Sequence, residues 1–304
     1  MTVLTQNIQT SDPAYVIVLG NSKGGSGKST TGMHIITRLL NLGFQVGAID
    51  LDGRQRTLGR YAENRQELCE SRKVTLPMPD LRILMESQQN SVKEAQADEQ
   101  MRFVETLQSL RETNHFVVVD CPGNDNFLSR LAHAYADTLI TPLNDSFIDV
   151  DLLARVNPNT YDIISPSWYS EMVWEQRKQR FLRDKKNIDW VVVRNRLSHT
   201  DARNKRHVQQ VLEKLSQRIG FRHVCGFGER VIFRELFLKG LTLSDLRQKG
   251  LGVEVTMAHV AANQEVKALV SSLKLPHMQQ EKEGTSSSHD KTPTHTHTQE
   301  KLAS

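Results

Sequence analysis

Apolar residues along this chain occur as short continuous runs that alternate with stripes of helical spacing. The runs are rich in Val and Ile, and runs of this kind predict buried strands. They lie at residues 15–20, 45–50, 116–120, 138–141 and 190–194. Helical periodicity predicts a helix over 28–42, which Gly43 ends, and another that includes 103–110. The alternation predicts an α/β fold with a doubly wound, mostly parallel sheet flanked by helices, and with ligands at the carboxyl ends of the strands.

Polar stretches at both ends set the limits of the predicted domain. Residues 1–14 predict a flexible leader, and the polar residues 279–304 predict a disordered tail. One α/β domain over residues 15–278 accounts for the rest of the chain. Residues 165–186 mix aromatic side chains with many charges, and we expect an embellishment between sheet elements there.

Composition excludes several classes of function. No apolar run is long enough to cross a bilayer, which predicts a cytoplasmic protein without membrane insertion. The three cysteines lack the CxxC spacing of a zinc or iron–sulfur site. The net charge is only +4, but residues 177–206 contain eleven Lys or Arg against three Asp. This local positive charge indicates a polyanionic partner, although a solvated helical face also explains many such runs.

A glycine-rich segment, Ser22–Thr30, connects the first predicted strand to the first predicted helix. It fits the Walker A pattern GxxxxGK[ST], except that Ser22 replaces the first glycine. In this pattern the backbone N–H groups converge on phosphate, Lys28 supplies charge to the β and γ oxygens, and Ser29 offers its hydroxyl to Mg²⁺. The predicted nucleotide-binding residues here are Gly24, Gly25, Ser26, Gly27, Lys28, Ser29 and Thr30. ATP and Mg²⁺ are therefore the predicted cofactors.

A second lysine in the loop, Lys23, gives the pattern KGGxGK[ST], and here the sequence resembles the ParA/MinD family of deviant Walker A ATPases. The resemblance implies a P-loop NTPase fold of the SIMIBI, ParA-like type. It also implies that Lys23 and Lys28 are catalytic, with Lys23 reaching across a homodimer to the partner's nucleotide as an arginine finger does. Dimerisation and ATP binding would then be one event. The alternative is that Lys23 neutralises phosphate within its own subunit.

Aspartates follow two of the predicted strands. Asp50 and Asp52 lie two residues apart at a strand end, so their side chains share one side and both can face the γ-phosphate. The resemblance assigns Asp52 to positioning the attacking water and Asp50 to the magnesium shell, whereas a pair of surface aspartates in a turn is the alternative. Asp120, after four apolar residues, has the position of a Walker B acid that holds a water of the Mg²⁺ shell.

Gly123 and Asn195 complete the predicted nucleotide-binding set. Gly123 follows Asp120 closely enough for its backbone N–H to reach the γ-phosphate, and loss of that contact on hydrolysis would release the loop. Asn195 matches the base-reading asparagine of the family, and its amide presents a donor and an acceptor together, which suits an adenine edge. Without the other motifs, an asparagine after a strand is simply a turn residue.

Several stretches are closest to one branch of the family, the division-plane positioning ATPases. They are Asp50–Thr57, Pro142–Phe147, Trp174–Arg180, Asp189–Arg196 and Arg230–Phe237. This resemblance implies a monomer that binds the chromosome-partition protein ParB near the pole. It implies an ATP dimer that binds double-stranded DNA without sequence preference and inhibits polymerisation of the tubulin-like protein FtsZ. We therefore expect a slow, switch-type ATPase associated with the nucleoid and the pole; Gly53, the leader and the tail depart from the branch.

Cations on a predicted helix that begins near residue 200 support DNA binding independently. Its apolar stripe predicts a buried face formed by Val208, Val211, Leu212, Leu215 and Ile219. Cations in the first turns oppose the helix dipole at a cost of about 0.3 to 1 kcal/mol each, which phosphate contacts would offset. The predicted DNA-binding residues are Arg194, Arg203, Lys205, Arg206, Arg218, Arg222, Arg230 and Arg234. Any of them can instead form a structural ion pair.

Three alternative functions stay open. A ParA-type DNA-partition ATPase shares the same motifs, and a nucleotide-dependent scaffold that does not hydrolyse ATP would keep the loop but have no use for Lys23 and Asp52. A membrane-cycling relative needs a terminal amphipathic helix. The last apolar stripe, which includes Val266, Leu269, Val270 and Leu273, instead predicts packing against the sheet.

Overall fold

The structure is a computed structural model that describes residues 13–197, 202–276 and 278, with side chains from residue 206 onward in the helix that begins at Ala202. The chain divides into a body that ends at Leu273 and a short second unit that begins at Lys274. The named strands and helices all lie in the body. Residues 1–12 of the predicted leader, which extends to residue 14, and residues 279–304, the predicted tail, lie outside the described residues.

Seven parallel strands form the central sheet of the body. In spatial order they are β3 (Asp80–Ile83), β2 (Val46–Asp50), β4 (Phe116–Asp120), β1 (Tyr15–Leu19), β5 (Thr138–Asn144), β8 (Asp189–Asn195) and β9 (Arg222–Cys225). A separate antiparallel hairpin is formed by β6 (Ala154–Val156) and β7 (Ile163–Pro166). All five predicted strands are present, and the predicted α/β fold class is confirmed.

Helices connect the strands and cover both faces of the sheet. They are α1 (Lys28–Asn41), α2 (Thr57–Arg72), α3 (Val92–Thr113), α4 (Phe127–Tyr135), α5 (Phe147–Val150), α6 (Trp168–Asp184), α7 (Ala202–Leu215), α8 (Ile232–Leu238) and α9 (Met257–Ser272). A π-helical turn, Ser216–Gly220, continues α7. Among the described residues, no helix is both long and apolar enough to span a bilayer.

The strand order places the first loop at a topological switch point. β1 lies between β4 and β5. The strands on one side of it, β2, β3 and β4, precede in the chain those on the other side, β5, β8 and β9, so the strand order reverses at β1. The strand ends that carry predicted site residues also meet in register. Asp120 pairs with Leu19 across one ladder and with Asp50 across the next. The predicted loop and aspartates therefore share one sheet edge.

Both predicted apolar stripes are buried. The five apolar residues of the α7 stripe, from Val208 to Ile219, are at most 8% exposed and belong to the main core. The stripe of α9, which includes Val266 and Val270, is buried where α9 packs against α1 and β9. Packing of the last helix against the sheet is therefore confirmed.

The expectation of an embellishment at residues 165–186 was wrong. This segment forms α6, which packs along α4 and belongs to the crossover between β5 and β8. One face of the helix, including Tyr169 and Val173, is buried, and the Tyr169 hydroxyl donates a hydrogen bond of 2.8 Å to the Gly20 carbonyl. The charges and aromatic side chains that indicated a surface insertion occupy the opposite face of the same helix.

Candidate active site

The glycine-rich segment forms a tight loop between β1 and α1. Gly25 and Gly27 have φ angles of 75° and 89°, in the left-handed region that favours glycine. The Asn21 side chain accepts a hydrogen bond of 2.7 Å from the Lys23 backbone N–H and donates one of 2.5 Å to the Pro142 carbonyl. The loop is thus fixed at its start by Asn21, and it leads directly into the N-terminus of α1, where unpaired N–H groups favour anions.

Lys28 lies inside the loop and is only 7% exposed. Its Nζ atom donates a hydrogen bond of 3.1 Å to the Lys23 carbonyl. Burial lowers the pKa of Lys28, and the nearby Asp120, Cys121 and Asp52 oppose that effect. The predicted phosphate-binding lysine therefore lies within electrostatic reach of two of the predicted aspartates.

Two buried carboxylates lie beneath the loop. Asp50 accepts backbone hydrogen bonds of 2.9 Å from Asp52 and from Gly59, and its burial raises its pKa. Burial, reinforced by Asp50, raises the pKa of Asp120 to about 7, although a hydrogen bond from Ser29 and the charge of Lys28 act in the opposite direction. The structure therefore brings Ser29, Asp50 and Asp120 together.

This group of oxygens fits a magnesium ion. Asp120 Oδ1 is buried and has no hydrogen-bond partner among the described residues. Hard divalent cations bind carboxylate and hydroxyl oxygens, and a cation here would offset the mutual repulsion of Asp50 and Asp120. Asp52, the predicted catalytic carboxylate, is half-buried, and its Oδ1 accepts a 2.9 Å hydrogen bond from the Gln55 backbone.

The loop after β4 touches the glycine-rich loop directly. A Cβ atom on Gly123 would lie 2.9 Å from the Gly24 Cα atom and 3.0 Å from its nitrogen, so only glycine permits this approach. Cys121, just before it, is buried, and burial raises the pKa of its thiol, so the side chain remains a neutral packing group. Gly123 is thus close enough to the loop for a shared phosphate contact.

Lys23 contacts a residue that the sequence analysis missed. Its Nζ atom forms an ion pair with Asp149, on α5, and the two side chains are 40% and 2% exposed. Asp149 also accepts a 2.8 Å hydrogen bond from the Asn144 backbone N–H. The signal in the sequence was Ser146-Phe-Ile-Asp149, the S-x-x-D form of a helix start, directly after β5.

Asn195 joins the loop to the segment after β9. Its Nδ2 donates hydrogen bonds of 3.2 Å to the Ser26 carbonyl and the Thr31 hydroxyl, and its Oδ1 accepts one of 3.2 Å from the Phe227 N–H. Both amide hydrogens are therefore used within the protein. Base reading by Asn195, as the sequence predicts, would require at least one of these bonds to be exchanged.

A cavity of about 390 Å³ opens beside Asn195 and the start of α1. Phe227 and Phe233 stack on its wall with ring centroids 5.0 Å apart, and Arg234 also lines it. An aromatic wall beside a phosphate-binding loop suits a planar base. The sequence analysis assigned neither phenylalanine to the site, because neither belongs to a nucleotide-binding motif, although Phe233 lies in the recognised stretch Arg230–Phe237.

The predicted DNA-binding arginines whose side chains the structure describes fall into two groups. Three of them form ion pairs: Arg194 with Asp145 at 2.7 Å, Arg222 with Asp189 at 2.6 Å, and Arg230 with Glu265 at 2.5 Å. Arg206 and Arg234 are exposed, and so is Arg218, which donates to the Ile163 carbonyl at 3.2 Å. The side chains of Arg203 and Lys205 lie outside the described residues.

The burial of Arg194, which is 6% exposed, does not suit a contact with DNA phosphate. Its guanidinium group would have to leave a buried carboxylate to reach solvent, at the cost of an unpaired charge in the protein. Its structural role is therefore to hold the end of β8 to the loop after β5.

The parallel sheet, the loop at its switch point and the aspartates at the ends of β2 and β4 define a P-loop NTPase of the ParA/MinD type. Comparison with known proteins narrows this class. A family model described as "ATPase MipZ" matches residues 15–277, and the chain belongs to that family.

Similar proteins agree with this fold. The chain is 28% identical over 165 residues to the chromosome partitioning protein ParA of Caulobacter vibrioides, an alignment that covers 48% of this chain and 61% of ParA. The structure of an McdA variant from Cyanothece in complex with ATP has a TM-score of 0.58 at 14% identity, covering 88% of this chain and 99% of that one. MinD with Mg-ADP from Pyrococcus horikoshii has a TM-score of 0.53 at 15% identity, covering 86% and 96%.

Proposed function

We propose that this chain is an ATP-dependent dimerisation switch that positions the cell division plane. The observation that carries the proposal is the ion pair between Lys23 and Asp149, which holds the ammonium group of the second loop lysine on α5. Lys23 remains partly exposed, so a phosphate of a second subunit's nucleotide can replace Asp149 as its partner. ATP binding and dimerisation are then coupled, and hydrolysis returns the chain to a monomer.

The other site residues bind and orient the nucleotide. Residues 24–30 bind the phosphates with backbone N–H groups, and Lys28 exchanges the Lys23 carbonyl for a phosphate oxygen. Ser29 and Asp120 hold Mg²⁺, with Asp50 beside them, and the bound ion supplies positive charge to the phosphate oxygens. Asp52 orients the attacking water. The cavity wall formed by Phe227 and Phe233 receives the base.

Nucleotide state reaches the protein surface through the loop after β4. Because Gly123 already touches Gly24, a γ-phosphate bound by the glycine-rich loop beside this contact is within reach of the Gly123 backbone as well. Its removal by hydrolysis leaves the Gly123 loop without that contact and favours the monomer. The family is one of ATPases, and hydrolysis by this chain is part of the proposal.

DNA binding is assigned to a smaller set of cations than the sequence predicts. The exposed Arg206 and Arg234, together with Arg203 and Lys205, form this set. Arg194, Arg222 and Arg230 are left out because each already has a carboxylate partner, which a phosphate would have to displace. Arg218 is left out because its guanidinium group already donates to the Ile163 carbonyl. Contacts from exposed cations to phosphate predict binding without sequence preference and with a strong salt dependence.

The proposed partners follow the family. The monomer binds ParB near the pole, and the ATP dimer binds the nucleoid and inhibits FtsZ polymerisation in the cytoplasm. Residues 15–278 are the ATPase domain that carries these activities. A ParA-type partition function is a second candidate, because the similarity to ParA extends over 165 residues. The two functions differ in whether FtsZ polymerisation responds to the ATP dimer.

The test measures molar mass by light scattering and binding to unrelated DNA duplexes, with ADP and with ATP. In the wild type we expect a dimer and DNA binding only with ATP. Lys23→Ala removes the trans contact and stays monomeric, whereas Asp52→Ala cannot hydrolyse ATP and remains a DNA-bound dimer. Arg206→Ala lowers the slope of log affinity against log salt by about one for each subunit of the dimer that contacts DNA. Lys93→Ala, at an exposed lysine of α3, is the matched charge control and leaves this slope unchanged.

Three results would contradict the proposal. DNA binding that ignores the nucleotide would make the basic residues ordinary surface. A dimer that Lys23→Ala still forms would place this lysine in its own subunit's site. Absence of ATP turnover in the wild type, with binding retained, would favour a nucleotide-dependent scaffold.

A further inference from the structure

The outward face of α6 carries a stripe that the proposed function does not use. Trp174, Lys178 and Phe181 follow each other at helical spacing, and Lys185 lies just after the end of the helix. Each ring is covered by a lysine. Lys178 Nζ lies 4.7 Å from the centre of the Trp174 ring, and Lys185 Nζ lies 5.4 Å from that of Phe181. Trp174 and Phe181 are 53% and 48% exposed, and the adjacent Leu182 is 67% exposed. Contiguous exposed apolar side chains of this size mark interaction sites on soluble proteins.

A groove runs beside this stripe, between α6 and the π-helical turn Ser216–Gly220. It encloses about 480 Å³, and Trp174 and Lys178 line one side while Arg218 and Ile219 line the other. Both walls are fixed by hydrogen bonds to backbone carbonyls. Arg177 Nη1 donates to Gly220 O at 2.9 Å, and Arg218 Nη1 donates to Ile163 O at 3.2 Å. The groove is therefore formed before anything binds, which reduces the entropy lost on binding.

We propose that this stripe and groove, called here the α6 surface, bind a segment of a partner protein that has an apolar face bordered by carboxylates. The apolar face of the segment covers Trp174 and Phe181, and one of its side chains enters the groove. Its carboxylates meet Lys178, Lys185 and Arg218. Buried Trp and Arg side chains account for much of the affinity of protein interfaces.

The charges of the α6 surface favour such a segment over other polyanions. Glu171 and Glu175 lie on the groove beside Lys178 and Arg218, so its charge is mixed. A segment with a few separate carboxylates can place them at the cations and away from both glutamates, whereas the continuous phosphates of a nucleic acid or an anionic bilayer meet both signs of charge. A flat bilayer also cannot fill a concave groove. The carboxylate that now faces Lys178 is Glu175, at 3.2 Å, and both side chains are about half exposed. Such surface pairs contribute little free energy, so a partner's carboxylate can replace Glu175 easily.

The experiment selects peptides from a random displayed library on the full wild-type chain. We expect the enriched peptides to combine aromatic or aliphatic residues with Asp or Glu. Their affinity should fall by about tenfold or more in Trp174→Ala and in Lys178→Glu. Val92→Ala and Lys93→Glu, at exposed positions at the start of α3, are the matched controls and should leave the affinity unchanged. All four positions are exposed, and the urea midpoint of each variant checks that the fold is intact.

Two further arms measure binding of a single-stranded oligonucleotide and of phosphatidylglycerol vesicles to the same chains. The proposal is overturned if no enriched peptide depends on Trp174, or if the enriched peptides are basic. It is also overturned if the Trp174→Ala change weakens binding to the oligonucleotide or the vesicles but not to the peptides. None of these results bears on the nucleotide switch, because the α6 surface contains no residue of the proposed ATP site.

Discussion

Lys23 and Asp149 are the two residues whose pairing has the most direct consequence for the switch. The lysine lies in the loop, and the aspartate lies 126 positions later on α5. In a single subunit the pair keeps the ammonium group from the nucleotide site of another subunit. The proposed dimer must break this pair, so Asp149 competes with ATP-dependent association.

Asp149→Asn should therefore strengthen the ATP dimer. The asparagine oxygen still accepts the hydrogen bond from the Asn144 N–H, but the charge that holds Lys23 is lost. Each subunit breaks one such pair when the dimer forms, and a pair with one partly exposed partner contributes about 1 kcal/mol. The dimer dissociation constant should therefore fall by about thirtyfold. Analytical ultracentrifugation with a slowly hydrolysed ATP analogue measures this constant. Asp151→Asn, an exposed neighbour, should leave it unchanged, and weaker dimerisation of Asp149→Asn would show that Asp149 supports the dimer instead.

Residues that belong to local motifs are easier to predict from the sequence than residues whose role depends on a contact with a distant position. The loop, Asp50 and Asp120 were identified because their spacing relative to the strands is itself the signal. Asp149 was missed because its role depends on a contact between distant positions. For the same reason the sequence could not show that Arg194 is paired with Asp145 and buried.

At the scale of elements, the structure depends on a buried ion pair that no pattern in the sequence predicts. Arg65 on α2 forms a two-pronged ion pair with Asp245, at 2.7 and 2.8 Å, and both side chains are fully buried. Burial alone would raise the pKa of Asp245, but Arg65 and Thr242 outweigh it and lower the pKa. The pair joins α2, which follows the Asp52 loop, to the segment after α8.

Asp245→Asn should destabilise the protein by about 3 to 5 kcal/mol, because it leaves the Arg65 charge buried without a counter-charge. Urea denaturation followed by far-ultraviolet circular dichroism gives the free energy of unfolding. The matched control is Asp98→Asn, which breaks the partly exposed pair between Asp98 and Arg102 on α3 and should move the midpoint far less. Equal midpoints for the two variants would contradict a structural role for the buried pair.

Element prediction failed where polar residues occupy an edge. β3 and β9 are four-residue strands at the two edges of the sheet, and their partly exposed side chains mix polar and apolar residues, which gives no continuous apolar run. α6 was misjudged for a related reason, since its charged and aromatic face hid the buried face that includes Tyr169. The inner strands were predicted because both of their faces are covered.

For the whole molecule, two fully buried histidines link stability to pH. His34 bonds to the Thr30 carbonyl at 2.9 Å and His133 to the Ser129 carbonyl at 2.6 Å. Burial lowers the pKa of each to about 4, from an ordinary value of 6.5. As the pH falls, these two histidines therefore become protonated in the unfolded chain at a higher pH than in the folded chain. The stability that the neutral histidines provide is present above pH 6.5 and is lost as the pH falls toward 4.

His133→Gln should make unfolding less sensitive to acid. By linkage, each buried histidine lowers the free energy of unfolding by about 2 kcal/mol when the pH falls from 7.5 to 5. The variant has one such histidine fewer, so its free energy of unfolding falls by about 2 kcal/mol less than that of the wild type. The stability difference between wild type and variant should therefore shrink by that amount across the interval. His207→Gln, at a partly buried histidine of α7, is the control and should keep the wild-type pH dependence. A constant difference for His133→Gln would mean that this histidine does not remain neutral in the fold.

The three tryptophans lie in two contrasting environments. Trp190 is buried in β8 with its Nε1 bonded to Thr141 at 3.0 Å, whereas Trp168 and Trp174 lie half exposed on α6. Their emission therefore combines one shielded fluorophore with two that acrylamide can quench. Loss of the shielded component reports unfolding of the sheet, and protection of the quenchable component reports contact at α6. The native chain thus carries separate optical probes for its core and for one surface, and neither requires a label.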